Sequence, residues 1–200
     1  MSAIHERNQH PAAKSKSAVT HDGGLIPFAH YLSIASRTPP RPAHWSAKAI
    51  ADATGRFPHG ERGTAALVPC EEGFGDPGSV EAAPGISLTL QIVEPQQGTR
   101  PHRHAFWHLY LVVAGDGVGH VASEGDRHDA AAYSLVAGDV LYVPAWATHS
   151  FVNPDSTTPL MLYALQNLPQ LAALGTLVRE APDGGIEHVY RVSSGEFHSL

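Results

Sequence analysis

Three histidines crowd one short stretch, Pro101-His102-Arg103-His104-Ala105-Phe106-Trp107-His108, and a fourth, His149, lies on a separate segment. His102 and His104 are two positions apart, and in a β-strand such residues point to one face. Neutral imidazoles side by side suit a transition-metal ion, because imidazole ligates Fe, Zn, Cu and Ni. His108 keeps the even offset, so a continuous strand would put it on the same face. His149 would supply a ligand from a second strand. Ligands converging from two strands inside a barrel make a rigid cage. The chain holds 14 histidines. Of the others, His44, His59, His188 and His198 belong to no constellation, and His120 and His128 fall near or in a polar hairpin.

Such a cage needs strands to carry it, and the chain is built for strands. Its 200 residues include 19 Gly and 16 Pro, with only 16% charged, against about 25% in an average globular protein. A turn-rich, charge-poor chain favours many short strands over a helical bundle. In residues 86–94 Ile86, Leu88, Leu90 and Ile92 alternate with Ser87, Thr89, Gln91 and Val93, the period of two that marks a strand. Further strands are expected at 108–114, 117–122, 131–136, 139–143, 148–153, 159–166 and 186–192. Gly, Pro, Asp and Asn clusters separate most of them. Residues 123–130 read as a hairpin tip, and 169–180 as a short helix or turn-helix. Many antiparallel strands at this length mean a sandwich or a jelly roll.

The organisation follows. Residues 1–24 read as a polar, flexible tail. Residues 25–63 read as an extended Pro-rich arm at 25–42 and a short helix at 43–54, stopped by Gly55. Residues 64–200 read as one β-domain with a C-terminal extension. The arm could cross to a neighbour's sheet edge, so a homodimer or higher homo-oligomer is expected. A net charge of −6, with no basic cluster, argues against a nucleic-acid partner. No apolar run reaches the roughly 18 residues of a membrane span, and no secretory signal is visible. The single Cys70 forms no intrachain disulfide and reads as a small buried hydrophobe. Together these point to a cytoplasmic location and no membrane partner.

Two motifs then resemble the cupin superfamily. The first is H-x-H followed by a spaced ligand position and a glycine, here His102, His104, His108 and Gly115; His108 stands where most members carry Glu. The second is G-x5-P-x-G-x2-H-x3-N, here Gly138, Pro144, Trp146 in place of the inner glycine, His149 and Asn153. The resemblance covers residues 64–166 and implies an all-β cupin jelly-roll β-barrel, with the N-terminal helix and arm and a short C-terminal helical segment outside it. Gly115 and Gly138 read as turn residues, Pro144 as a strand end and Asn153 as a turn residue.

A narrower similarity is to the gentisate and salicylate group of ring-cleaving dioxygenases, which also lack the Glu and bind Fe(II) through three histidines. It rests on His102-Arg103-His104, on the run from Pro144 through Trp146 to His149, on Gln91 ahead of the first motif, and on residues 168–180. It implies metal ligands His102, His104 and His149, with His108 as fourth ligand or as a group that orients a ligand or moves a proton. It also implies Gln91 as a substrate contact; Trp146 is a candidate contact as part of an aromatic, weakly charged cavity suited to a flat organic substrate. Two positions depart from that group. Tyr110 stands where an Arg often holds the substrate carboxylate, and Phe151 replaces a histidine two residues past the last ligand. Arg100 is a candidate substitute for the lost cation. Tyr110 shares parity with His108 and joins it as a catalytic candidate; Phe151 is taken as a substrate contact.

The resulting expectation is an enzyme, a cytoplasmic non-haem Fe(II) dioxygenase. It would cleave a C–C bond of a phenolic, aromatic or dicarbonyl small molecule with O2, without an essential substrate carboxylate. Zn, Mn, Ni or Cu also suit such donors. A cupin isomerase or lyase using Zn, Mn or Ni is the first alternative, and a non-catalytic cupin that binds a small ligand is the second.

Overall fold

Helix α1 (Ala47–Thr54) starts where Ser46 Oγ accepts the Ala49 N–H at 3.1 Å, a side-chain cap for an otherwise unpaired donor. It ends at Gly55. The computed structural model describes residues 27, 42–60, 63–69, 81–122 and 130–189. Residues 40–200 form one compact unit. The tail at 1–24, the arm except Pro27 and Pro42, Cys70, residues 123–129 with His128, and His198 lie outside the described residues.

The strands are β1 (Ala65–Ala66), β2 (Ser87–Val93), β3 (His108–Ala114), β4 (Gly117–Ala122), β5 (Ala130–Leu135), β6 (Val140–Val143), β7 (Thr148–Val152), β8 (Leu160–Gln166), β9 (Val178–Glu180) and β10 (Ile186–His188), with helix α2 (Leu168–Ala173) between β8 and β9. They form a five-stranded sheet ordered β1-β2-β8-β3-β6, a three-stranded sheet ordered β5-β4-β7, and the β9–β10 hairpin. Every pair is antiparallel. This is the all-β jelly roll expected from the sequence. Among the described residues, no helix is long and apolar enough to cross a membrane.

The core lies between the two larger sheets. Tyr110, Val112, Leu141, Val143, Leu160, Leu162 and Ala164 from one sheet meet Leu135 and Phe151 from the other. Fully burying each large side chain is worth about 1.5–3 kcal/mol. Gly119 on β4 is needed here: a Cβ would stand 2.9 Å from Leu141 and 3.2 Å from Leu135. Register sets which residues share the inner face. Ser87 pairs with Gln166 and Gln166 with His108; Thr89 pairs with Ala164 and Ala164 with Tyr110; Gln91 pairs with Leu162 and Leu162 with Val112. The inner face of β2 is therefore its polar row. Its apolar row, Leu88, Leu90 and Ile92, packs outward with Leu67, Trp45 and Ile50, so α1 and its approach cover the back of the sheet.

Two local readings are corrected. Residues 169–180 are not one helix: α2 ends at Ala173, Gly175 turns the chain at φ 67°, and Val178–Glu180 pairs with Ile186–His188. Residues 102–108 are not one strand either. The chain bends at Ala105 and Phe106, with the Ala105 N–H donated to Val178 O at 2.9 Å and the Trp107 N–H to Asn167 Oδ1 at 3.0 Å.

Candidate metal centre

His102 and His149 sit opposite one another and exchange both backbone hydrogen bonds, at 3.1 and 2.9 Å. In such an antiparallel pair the two side chains share a face. The ring centroids are 4.4 Å apart. The pairing extends outward, where Thr99 donates its N–H to Phe151 O and its Oγ1 accepts the Phe151 N–H, each at 2.9 Å. His104, two residues on, bridges to Arg179 of β9. The bend at 105–106 then returns the chain so that His108 still meets His104, ring centroids 4.7 Å apart.

Each of three histidines has one ring nitrogen committed. His102 Nδ1 bonds to Arg100 O at 3.0 Å, His104 Nδ1 to Phe106 O at 2.8 Å, and His149 Nδ1 to Ala147 O at 3.0 Å. A carbonyl only accepts, so Nδ1 carries the proton and Nε2 is the lone-pair atom of each neutral ring. The ligand atoms of these three residues lie within 4.8 Å of one another. His149 Nε2 is buried with no hydrogen-bond partner, a state that costs about 1–3 kcal/mol if nothing compensates it. Burial lowers the His149 pKa to about 4, with the His102 imidazole adding to the effect and the Ala147 hydrogen bond opposing it. Converging Nε2 lone pairs, with each Nδ1 held by a backbone carbonyl and the His104 and His149 rings buried, are what a transition metal requires. The donor set fits Fe, Zn, Cu or Ni.

His108 stands outside that group of three. Its Nε2 is 2.9 Å from His104 Nε2. With the His104 proton on Nδ1, His108 is the donor of this contact. Its own Nδ1 is buried without a partner. Burial, and then the neighbouring His104, His149 and His102, depress its basicity well below that of an ordinary histidine. Tyr110 stacks on His108 at 4.7 Å and meets Phe151 edge-on at 4.8 Å. Burial holds the Tyr110 phenol firmly protonated.

The remaining candidates divide. Gln91 is buried on the inner face, and Phe151 is buried beside Tyr110. Arg100 is exposed and lines, with His102, a cavity of about 330 Å³. Trp146 is half-buried and donates its N–H to His104 O at 2.8 Å. It holds φ 64°, a left-handed conformation that favours glycine and costs a side-chain-bearing residue about 1–3 kcal/mol. Sequence reading passed over Phe106, whose ring stacks on His104 at 3.6 Å. It also passed over the inner polar set in which Gln166 donates to Thr89 Oγ1 at 3.0 Å and accepts from Ser87 Oγ at 3.3 Å. The parity of β8 was the available signal for Gln166. Asn153 is a turn residue: its Nδ2 donates to Val93 O and Thr158 O, both at 2.9 Å.

Imidazoles from the H-x-H segment and from β7 meet within a jelly roll. Residues 89–165 match the cupin domain family. The chain's relatives include salicylate-type dioxygenases. It is 28% identical over 139 residues to a 5-nitrosalicylic acid 1,2-dioxygenase of Bradyrhizobium sp, covering 70% of this chain and 63% of that one. It is 30% identical over 116 residues to a 5-aminosalicylate 1,2-dioxygenase of Comamonas sp, covering 58% of this chain and 28% of that one. The chain thus spans under two thirds of the length of either. The fold also matches the crystal structure of a salicylate 1,2-dioxygenase from Pseudaminobacter salicylatoxidans, with TM-score 0.57 and 23% identity over 84% of this chain and 47% of that one.

Proposed function

We propose that this chain is a cupin dioxygenase that holds Fe(II) through His102, His104 and His149 and cleaves a C–C bond of a phenolic or enolisable small molecule with O2. The observation that carries the reading is the convergence of three imidazoles whose Nδ1 atoms are all tied to backbone carbonyls. The similarity to salicylate-type dioxygenases supports the reaction class. Fe(II) with neutral nitrogen ligands supplies open coordination positions for an anionic oxygen and the redox chemistry that O2 needs to attack an electron-rich carbon. In the overall reaction one C–C bond breaks and both oxygen atoms enter the product, so no external reductant is consumed.

The protein's own groups do the rest. Its ligands are neutral, which favours a phenolate or enolate over a neutral molecule. His108, whose Nε2 lies 2.9 Å from His104 Nε2, is proposed to move a proton during turnover; a metal on His104 would take the lone pair that accepts this contact in the metal-free protein. Tyr110 offers a neutral hydrogen-bond donor where a carboxylate-reading cation would otherwise stand, and Phe151 beside it is apolar. That pair argues for a substrate without an essential carboxylate. Gln91 on the inner face, Trp146 and Arg100 are proposed as substrate contacts. The proposal extends to a homodimer or higher assembly, supported by the exposed apolar row Leu109, Leu111, Val140 and Tyr142 on the outer face of β3 and β6. A cytoplasmic setting belongs to the same reading.

The test is oxygen consumption by Fe(II)-loaded protein over a panel of phenols, hydroxyketones and diketones. Substrate-dependent uptake of one O2 per molecule cleaved, absent in His149→Ala, is expected. Turnover that persists under strict anaerobiosis with Zn, Mn or Ni would replace this reading with an isomerase or lyase. Tight binding of a ligand that stays unchanged would make the domain a binding module.

A further inference from the structure

In an H-x-H segment the middle residue faces away from the two ligands. Here it is Arg103, and its outward face meets the C-terminal hairpin. Arg103 Nε and Nη2 donate to Glu180 Oε2 and Oε1 at 2.8 and 3.1 Å, a bidentate fork with both side chains largely shielded. Backbone bonds reinforce it. The Glu180 N–H is donated to Arg103 O at 3.2 Å, the Ala105 N–H to Val178 O at 2.9 Å, and His104 bridges to Arg179. Strand β9 is in turn locked to β10, where Arg179 pairs with Glu187 at 2.6 Å and sits opposite it in register. The cavity of about 330 Å³ lies between these parts, with His102 and Arg103 on one side and Arg179, Glu180 and Glu187 on the other.

The hairpin lies beyond the residues matched by the cupin family, 89–165, yet it grips the segment that carries two of the three converging histidines. We propose that the Arg103–Glu180 pair makes the β9–β10 hairpin a clamp that positions His102 and His104 and thereby sets how long the site retains its metal. This rests on the metal-site reading above. The fork fixes the segment in two dimensions, since two parallel charge-assisted bonds define an orientation as well as a distance. Released from it, the segment keeps its pairing to β7 at His102 and its backbone bonds to β9, but loses the side-chain fork that fixes its orientation. His104 then samples orientations in which its Nε2 leaves the common point. Groups that orient ligands typically change metal affinity by about 10–100-fold when removed. Arg103 and Glu180 are positioning residues.

The experiment loads the full chain with Co(II) alone and follows its loss to excess chelator by the visible absorption of the bound ion, with no substrate present. Glu180→Gln keeps the shape and removes the charge; Arg103→Lys keeps the charge and removes the fork. Both are expected to release Co(II) about 10–100-fold faster than the parent. The exchanged pair Arg103→Glu with Glu180→Arg is expected to recover most of the difference. The thermal midpoint of the metal-free protein is measured in parallel and is expected to move little in Glu180→Gln and Arg103→Lys. Release at the parent rate in both single variants overturns the proposal. So does faster release matched by an equal fall in metal-free stability that the exchanged pair fails to recover, because the hairpin is then only a support for the barrel. If the parent itself binds no Co(II), the metal-site reading falls and takes the clamp with it. If the parent binds and the variants match it, only the clamp falls.

Discussion

His102 and His149 face each other as a hydrogen-bonded pair across two chain segments, and each ring is turned by an Nδ1 bond to the carbonyl two residues before it. The same short-range geometry is thus used twice, once on each side of the site. Backbone carbonyls on Nδ1 orient both Nε2 atoms. His104 reaches the same outcome with a carbonyl two residues after it.

Replacing His149 by Leu removes one converging nitrogen and the buried atom that has no partner. Metal affinity is expected to fall by more than the roughly 10–100-fold seen when an orienting group is lost. The metal-free protein is expected to keep its thermal midpoint or gain, since an orphaned polar atom is gone. Isothermal titration with Zn(II) and a melting curve check both; undiminished affinity would remove His149 from the site.

The metal-free protein should weaken in acid, and the sign follows from the lowered pKa. His149 titrates near 4 when folded and near 6.5 when unfolded. Between those values the unfolded chain binds more protons, so stability rises with pH there. His108 is lowered too and acts in the same direction. Stability is full above about 6.5 and falls as pH drops toward 4. Urea midpoints across that window measure it; a midpoint that is flat, or that climbs on acidification, contradicts the burial argument.

His108→Leu separates the two roles open to that residue. With His108 moving a proton, the variant is expected to bind one metal per chain yet lose turnover by about 10²–10⁴-fold. Loss of the metal itself would make His108 a fourth ligand. Metal analysis beside the rate distinguishes them.

Tyr110→Phe keeps the stack on His108 and the edge contact with Phe151 while deleting the hydroxyl. A single neutral hydrogen bond is worth about 0.5–1.5 kcal/mol, so kcat/KM is expected to drop by about 2–13-fold with the melting point held. An unchanged rate constant for every substrate would take Tyr110 out of the reaction.

Much of the site was readable because its signals are local. Residue parity brought His102 and His104 together, and the strands announced themselves by alternation broken at glycines such as Gly115 and Gly138, which adopt φ 73° and 98°. What stayed hidden was long-range. Arg103 and Glu180 are 77 residues apart, and no periodicity links them. The strand at Val178–Glu180 exists because a hairpin partner and the His104 segment flank it, not because its three residues favour one. The bend at Ala105 and Phe106 was missed because parity assumes an unbroken strand; His108 joins the cluster by the bend and not by a continuous ladder. Trp146 keeps the left-handed backbone of a glycine position, which its side chain would not suggest.

The most direct measurement is anomalous diffraction at the iron edge from crystals loaded with Fe(II) under anaerobic conditions. One peak at bonding distance from the Nε2 atoms of His102, His104 and His149, with Nδ1 of each still on its carbonyl, is the predicted result. Iron bound elsewhere, or a map with no iron between those three rings, would contradict it.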